Sequence, residues 1–204
     1  MVCLLGASLA TGLPAGFKIV AHRGASHDAP ENTLAAFHLA WSQGADAIEG
    51  DFWLTKDGRI VCLHDETTKR TGGVDRKVSE STFAELRQLD VGSWKGAQWA
   101  GEKIPSIEEV LAAVPKGKQI FIEIKSGPEL VVPLKQALAS SGLARRQVTI
   151  ISFQTKVVAE VKKQLPGIKA YWLTGYKQDE KTGLWKPSLP DVLQTLERLQ
   201  ADGL

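Results

Sequence analysis

Glu49 and Asp51 stand one residue apart in Ala-Asp-Ala-Ile-Glu-Gly-Asp-Phe-Trp-Leu, a run otherwise apolar enough for a buried strand. Strand alternation turns both carboxylates to the same face. Two like charges on one buried face need a divalent metal or a shared proton, because an unpaired carboxylate in a low-dielectric interior is very costly. Other ionisable groups sit at comparable places. His22-Arg23 ends one apolar run, His64-Asp65 another, and in Ile-Phe-Ile-Glu-Ile-Lys alternation puts Phe121, Glu123 and Lys125 opposite Ile120, Ile122 and Ile124. With Glu123 added, the acids form an oxygen-only donor set, which suits Mg²⁺ or Ca²⁺ and makes the shared proton the poorer reading. His22 and His64 remain free for proton transfer, one as base and one as acid, with Arg23 and Lys125 to hold an anionic oxygen. Such a set fits hydrolysis of a phosphate ester better than redox or acyl chemistry. The chain contains no Gly-x-Ser-x-Gly elbow, phosphate-binding Walker loop or dinucleotide glycine fingerprint.

Active sites of α/β barrels and open parallel sheets lie at the C-terminal ends of strands, so the elements must bring four strand ends together. Extended runs are expected at 17–23, 45–54, 59–64, 119–125, 147–153 and 168–173. Helices are expected at 31–43, 106–114, 128–141, 156–164 and 190–200. This alternation predicts a parallel sheet covered by helices. Ser106 with Glu109 forms a capping-box pattern, and Thr155 is the expected cap of the next helix. Asp57-Gly58 predicts a tight turn joining the second and third strands with no helix between them. From Glu66 to Pro105 runs a long polar excursion with one helical piece near 82–89, the size of a lid or substrate-side subdomain. Glu31 and Asn32 suit either a helix start or a direct role at the site, and alternation turns Asp65 away from His64, into a structural or supporting place. Phe153, Trp172, Trp94 and Trp99 are candidates either for core or for a cation–π pocket.

The chain has 204 residues, enough for one substantial core, and a formal charge of +2 with no dense basic block, which argues against nucleic acid as a partner. Its two cysteines, Cys3 and Cys62, supply neither a disulfide framework nor a thiolate zinc site. Residues 1–16 are apolar and rich in small residues but lack a positive start, so they read either as the rear of a secretory signal or as a disordered beginning. The first reading implies a periplasmic or secreted protein, the second a cytoplasmic one. The run is too short to span a bilayer.

In order and spacing, His22-Arg23-Gly24, Ala29-Pro30-Glu31-Asn32-Thr33, Glu49-Gly50-Asp51, Leu54-Thr55-Lys56-Asp57-Gly58, His64-Asp65 and Ile122-Glu123-Ile124-Lys125 resemble the glycerophosphodiester phosphodiesterases. The resemblance runs from about Lys18 onward, and segment 66–105 is similar to that family's inserted subdomain. It implies a TIM-type α/β barrel in which Glu49, Asp51 and Glu123 hold a Ca²⁺ or Mg²⁺ ion, His22 and His64 are the acid/base pair, and Arg23 and Lys125 lie near the phosphate. It further implies hydrolysis of small diesters such as glycerophosphocholine and glycerophosphoethanolamine to glycerol 3-phosphate and an alcohol. The alternatives are a lysophospholipase D or sphingomyelinase D-like enzyme, or a barrel fragment that only binds. Six strands are counted where a closed barrel needs eight, which reads as a chain lacking the last two.

Overall fold

In the computed structural model of the chain, residues 18–204 are described. The leader reading of residues 1–16 and the start of the first strand at Phe17 lie outside them. All six expected strands form. β1 (Val20–His22), β2 (Ala47–Leu54) and β3 (Ile60–Cys62) precede the polar excursion, and β4 (Gln119–Ile124), β5 (Val148–Ser152) and β6 (Lys169–Trp172) follow it. The parallel path is β1-β2-β4-β5-β6. The Asp57-Gly58 turn makes β3 an antiparallel partner of the far end of β2, pairing Phe52 with Cys62 and Leu54 with Ile60. β3 therefore stands outside the parallel series, and β2 pairs directly with β4 from Ala47–Gln119 to Phe52–Ile124. β1 and β6 are the two ends of this path. Gly203 forms an isolated parallel bridge with Tyr171 of β6.

The helices are α1 (Leu34–Ser42), α2 (Lys69–Gly72), α3 (Phe83–Arg87), α4 (Ile107–Ala112), α5 (Val131–Ser140), α6 (Thr155–Gln164) and α7 (Leu189–Leu199). The apolar faces of α1, α4, α5, α6 and α7 cover one side of the sheet. Ile48, Phe52, Ile120, Ile122, Ile124 and Ile150 pack there with Phe37, Val110, Leu134 and Val158 in a single buried cluster. Residues of alternate parity take the opposite side, so the same period that builds the core delivers Glu49, Asp51 and Glu123 to the other face.

Ser106 and Glu109 form the expected capping box of α4. Two cap expectations are corrected. α6 begins at Thr155 itself after Gln154, with no side-chain cap, while Ser152 Oγ accepts from the Gln154 N–H. α1 starts three residues later than expected, because Asn32 takes a left-handed φ of 58° and Thr33 caps the helix by accepting from the Ala36 N–H. Glu31 and Asn32 thus lie ahead of the helix. A two-stranded hairpin, β7 (Lys177–Gln178) with β8 (Trp185–Lys186), fills the loop before α7 and carries no clear strand period in the sequence.

Segment 66–105 gathers its own small apolar cluster, in which Val78, Leu86, Val91 and Ile104 pack on Val61 and Leu63 at the end of β3. Thr82 and Glu85 cap α3 reciprocally. Arg87 joins the segment to α4 by a two-pronged pair with Glu109, at 2.6 and 2.8 Å. Lys95 Nζ donates to the Ser26 carbonyl at 2.8 Å, fixing the segment to the loop after β1. Among the described residues no helix is long and apolar enough to cross a membrane.

Candidate functional site

Register places the acids. His22 is paired with Glu49 across β1 and β2, and Asp51 with Glu123 across β2 and β4, so four ionisable groups of three adjacent strands share one face. One oxygen from each of Glu49, Asp51 and Glu123 lies within 4.8 Å of the others, and all three residues are buried. Glu49 is pushed up to about 8 by burial first, then by the charges of Asp51 and Glu123. Against this stands the Arg23 backbone N–H, which donates to Glu49 Oε2 at 2.9 Å.

The surrounding cations only partly answer the charge. Lys125 Nζ lies 3.0 Å from Glu123 Oε1 and 3.4 Å from Asp51 Oδ1, and Arg23 Nε lies 3.4 Å from Asp51 Oδ2. Glu49 Oε1 and Asp51 Oδ1 are buried with no hydrogen-bond donor. Two unsatisfied carboxylate oxygens facing a third acid are what a hard divalent cation would fill, and the all-oxygen donor set agrees with it. Cys62 does not compete for the ion. Burial, with Asp51 and Glu49 nearby, holds its thiol far above the ordinary range, and it donates to Asn32 Oδ1 at 3.2 Å.

Arg23 sits at the turn after β1 with a left-handed φ of 59°. A non-glycine residue in this region is uncommon and clusters at functional sites. The turn is held against α1: Gly24 has φ +77°, and a Cβ there would meet the Ala36 carbonyl carbon at 2.7 Å. His22 projects outward, its side chain 68% exposed, with Nε2 3.9 Å from Glu49 Oε2. His64 stands on the bend after β3, where Trp53 Nε1 donates to its carbonyl at 3.2 Å. Among the described residues no hydrogen bond or ion pair joins its ring directly to the three acids.

Asp65 corrects the alternation argument. β3 ends at Cys62, so the extended period has lapsed by His64, and Asp65 Oδ1 lies 2.6 Å from His64 Nδ1. Arg70 holds Asp65 in turn, and that pair, first of its causes, lowers the carboxyl to about 2. Asn32 is 2% exposed and supports Asp51 from both sides, donating Nδ2 to Oδ2 at 2.8 Å and accepting from the Asp51 N–H at 3.2 Å. Burial alone would raise Glu31, but Arg70 and Arg23 hold it below its ordinary value. Sequence reasoning missed Arg70 altogether. It lies in a polar stretch where a charged residue normally faces solvent, and no local pattern marks it. Of the aromatic candidates, Trp172 Nε1 donates to the Phe153 carbonyl at 3.2 Å, and Trp94 already has Lys95 Nζ 5.7 Å from its ring.

Residues 22–199 match the sequence profile of the Glycerophosphoryl diester phosphodiesterase family. A glycerophosphodiester phosphodiesterase of Caldanaerobacter subterraneus is 42% identical over 156 residues, 74% of this chain and 64% of the relative. A probable glycerophosphodiester phosphodiesterase 1 of Mycobacterium tuberculosis is 51% identical, over 72% of this chain and 61% of its own length. This chain thus spans somewhat under two thirds of these relatives. Among solved structures, an Oleispira antarctica phosphodiesterase in complex with the product sn-glycerol-3-phosphate superimposes with a TM-score of 0.82 at 31% identity, covering 92% of this chain and 74% of that one.

Proposed function

The chain belongs to the glycerophosphoryl diester phosphodiesterase family, and from that premise we propose that it hydrolyses glycerophosphodiesters such as glycerophosphocholine or glycerophosphoethanolamine to glycerol 3-phosphate and an alcohol. The observation that carries the reading is the convergence of Glu49, Asp51 and Glu123 within 4.8 Å, two of them with orphaned oxygens, beside Arg23 and Lys125. Glu49, Asp51 and Glu123 are the residues to hold a divalent ion, Ca²⁺ or Mg²⁺. Such an ion, when bound, withdraws charge from the phosphoryl oxygens and makes the phosphorus easier to attack.

The remaining work falls to the chain's own side chains. Arg23 and Lys125 contact the acids from either side and are positioned to take an anionic phosphate oxygen in exchange, orienting the diester. His22, exposed at the mouth, takes a proton from the attacking oxygen of water or of the glycerol 2-hydroxyl. His64, whose Nδ1 is held by Asp65, offers Nε2 to protonate the departing alcohol. The attacking oxygen bonds to phosphorus, the phosphorus–oxygen bond to the alcohol breaks, and the proton from His64 goes to the departing oxygen; where the 2-hydroxyl attacks, water then opens the cyclic phosphate to glycerol 3-phosphate.

The test is release of glycerol 3-phosphate from glycerophosphocholine, with and without a chelator, by the wild type and Glu49→Ala. The reading expects turnover that the chelator abolishes and that Glu49→Ala lacks. Chelator-insensitive turnover would remove the metal assignment, and a wild type inert with added Ca²⁺ or Mg²⁺ would remove the activity.

A further inference from the structure

Arg70, on the four-residue α2, grips two carboxylates that each hold a different part of the site. Its Nε donates to Asp65 Oδ2 at 2.7 Å and its Nη2 to Asp65 Oδ1 at 3.3 Å. The other prongs reach Glu31, Nη1 to Oε2 at 2.9 Å and Nη2 to Oε1 at 2.7 Å. From Asp65 the chain of contacts runs to His64 Nδ1 at 2.6 Å, and from Glu31 to Arg23 Nη1 at 3.1 Å. One guanidinium therefore lies between the imidazole on one side and the phosphate-facing arginine on the other. Only a planar fork with five donors satisfies two carboxylates bidentately, so lysine is no equivalent here.

The geometry also needs Arg70 for a negative reason. Asp65 and Glu31 both have oxygens within hydrogen-bond reach of the same Nη2, so they are close neighbours of like charge. Without the cation between them they repel, and Asp65 is the freer of the two, its side chain 34% exposed against 12% for Glu31. If Asp65 swings away, Nδ1 of His64 loses the acceptor that selects its tautomer and fixes its ring.

We infer that Arg70 is a positioning residue for proton transfer by His64, acting through Asp65. The inference rests on the proposed phosphodiesterase reading, with His64 as the group that protonates the leaving oxygen. It has a consequence that a general loss of structure lacks. An alkoxide such as that of choline leaves poorly without a proton, whereas p-nitrophenolate leaves without one. Loss of Arg70 should therefore weigh on the first kind of substrate and largely spare the second.

The experiment compares wild type, Arg70→Gln and Arg70→Lys on glycerophosphocholine and on the p-nitrophenyl ester of glycerol 3-phosphate, at saturating Ca²⁺ or Mg²⁺. For Arg70→Gln, kcat on glycerophosphocholine should fall about 10- to 100-fold with little change in KM, while kcat on the p-nitrophenyl ester changes by less than about threefold. Arg70→Lys should recover part of the loss. Equal losses on both substrates, or none on either, would overturn the inference while leaving the phosphodiesterase reading standing. A wild type that hydrolyses neither substrate would overturn both. A readout independent of turnover is the ¹⁵N shift pattern of the His64 ring, assigned with His64→Gln. Recorded at a pH high enough to remove one ring proton, it should report the tautomer protonated on Nδ1 in the wild type and a mixed tautomer in Arg70→Gln and Arg70→Lys, and an unchanged pattern in both variants would count against the role.

Discussion

Replacing Glu49 by glutamine should make the chelator-treated protein more stable near neutral pH. Glu49 is 5% exposed and pushed up to about 8 from an ordinary 4.5, by burial first and then by Asp51 and Glu123. An acid raised in the folded state contributes stability that is fully present below its unfolded pKa and is lost as pH rises through the folded one. For Glu49 that window runs from about 4.5 to about 8. Each pH unit inside it corresponds to about 1.4 kcal/mol, so the ionisable group should destabilise the metal-free protein by about 1 kcal/mol at pH 5 and about 3 kcal/mol at pH 7. Glu49→Gln keeps the shape and removes the titration. For a chain of this size the pH 7 difference corresponds to about 6 to 12 °C in melting temperature. The assay is urea or thermal unfolding of both proteins in chelator at half-unit steps from pH 5 to 8. Their curves should converge toward pH 5 and diverge as pH rises, with the variant above. Divalent cation at about a thousand times its dissociation constant should reverse the order at pH 7, because the wild type then gains about 4 kcal/mol against a deficit of about 3 kcal/mol. Parallel profiles in chelator would refute the electrostatic account of the cluster, since the surroundings of Glu49 would then not be raising its carboxyl.

Two further substitutions probe the support of the site. Asn32→Ala should destabilise by about 2 to 4 kcal/mol in urea unfolding, since it leaves the buried Asp51 without two hydrogen bonds and puts alanine at a φ of 58°. Asn32→Gly should do less harm by about 1 kcal/mol, because it loses the same bonds without the backbone strain. Gly24→Ala should cost at least about 2 kcal/mol, with a Cβ driven to within 2.8 Å of the Ala36 carbonyl oxygen at a φ of +77°. Gly50→Ala, whose new carbon would meet Cys62 Sγ at 3.1 Å and Phe37 at 3.2 Å, should be the milder variant in the same melts.

The sequence by itself determined which side chains share a face. A period of two is a local property, so Glu49 with Asp51, and Glu123 with Lys125, could be assigned to one side of their strands before any pairing was known. The Asp57-Gly58 hairpin was local in the same way. Tertiary structure decided the pairing register, which sets Asp51 beside Glu123 and His22 beside Glu49. It also decided that β3 lies off the parallel path, because a hairpin fixes its own antiparallel sense while parallel neighbours are chosen by the helical crossovers. Least legible were the groups that hold the functional side chains still. Asp65 was turned the wrong way because alternation was carried three residues past the end of β3, Asn32 stayed between a helix start and a site role because a cap residue and a left-handed turn residue have the same composition, and Arg70 went unmarked because nothing local distinguishes a clasping arginine from a solvated one. Asn32 and Arg70 act across gaps in sequence, 19 residues from Asn32 to Asp51 and 39 from Arg70 to Glu31. Contacts over such separations exist only once the sheet has brought the strand ends together, and so the acids were readable from the chain but their supports were not.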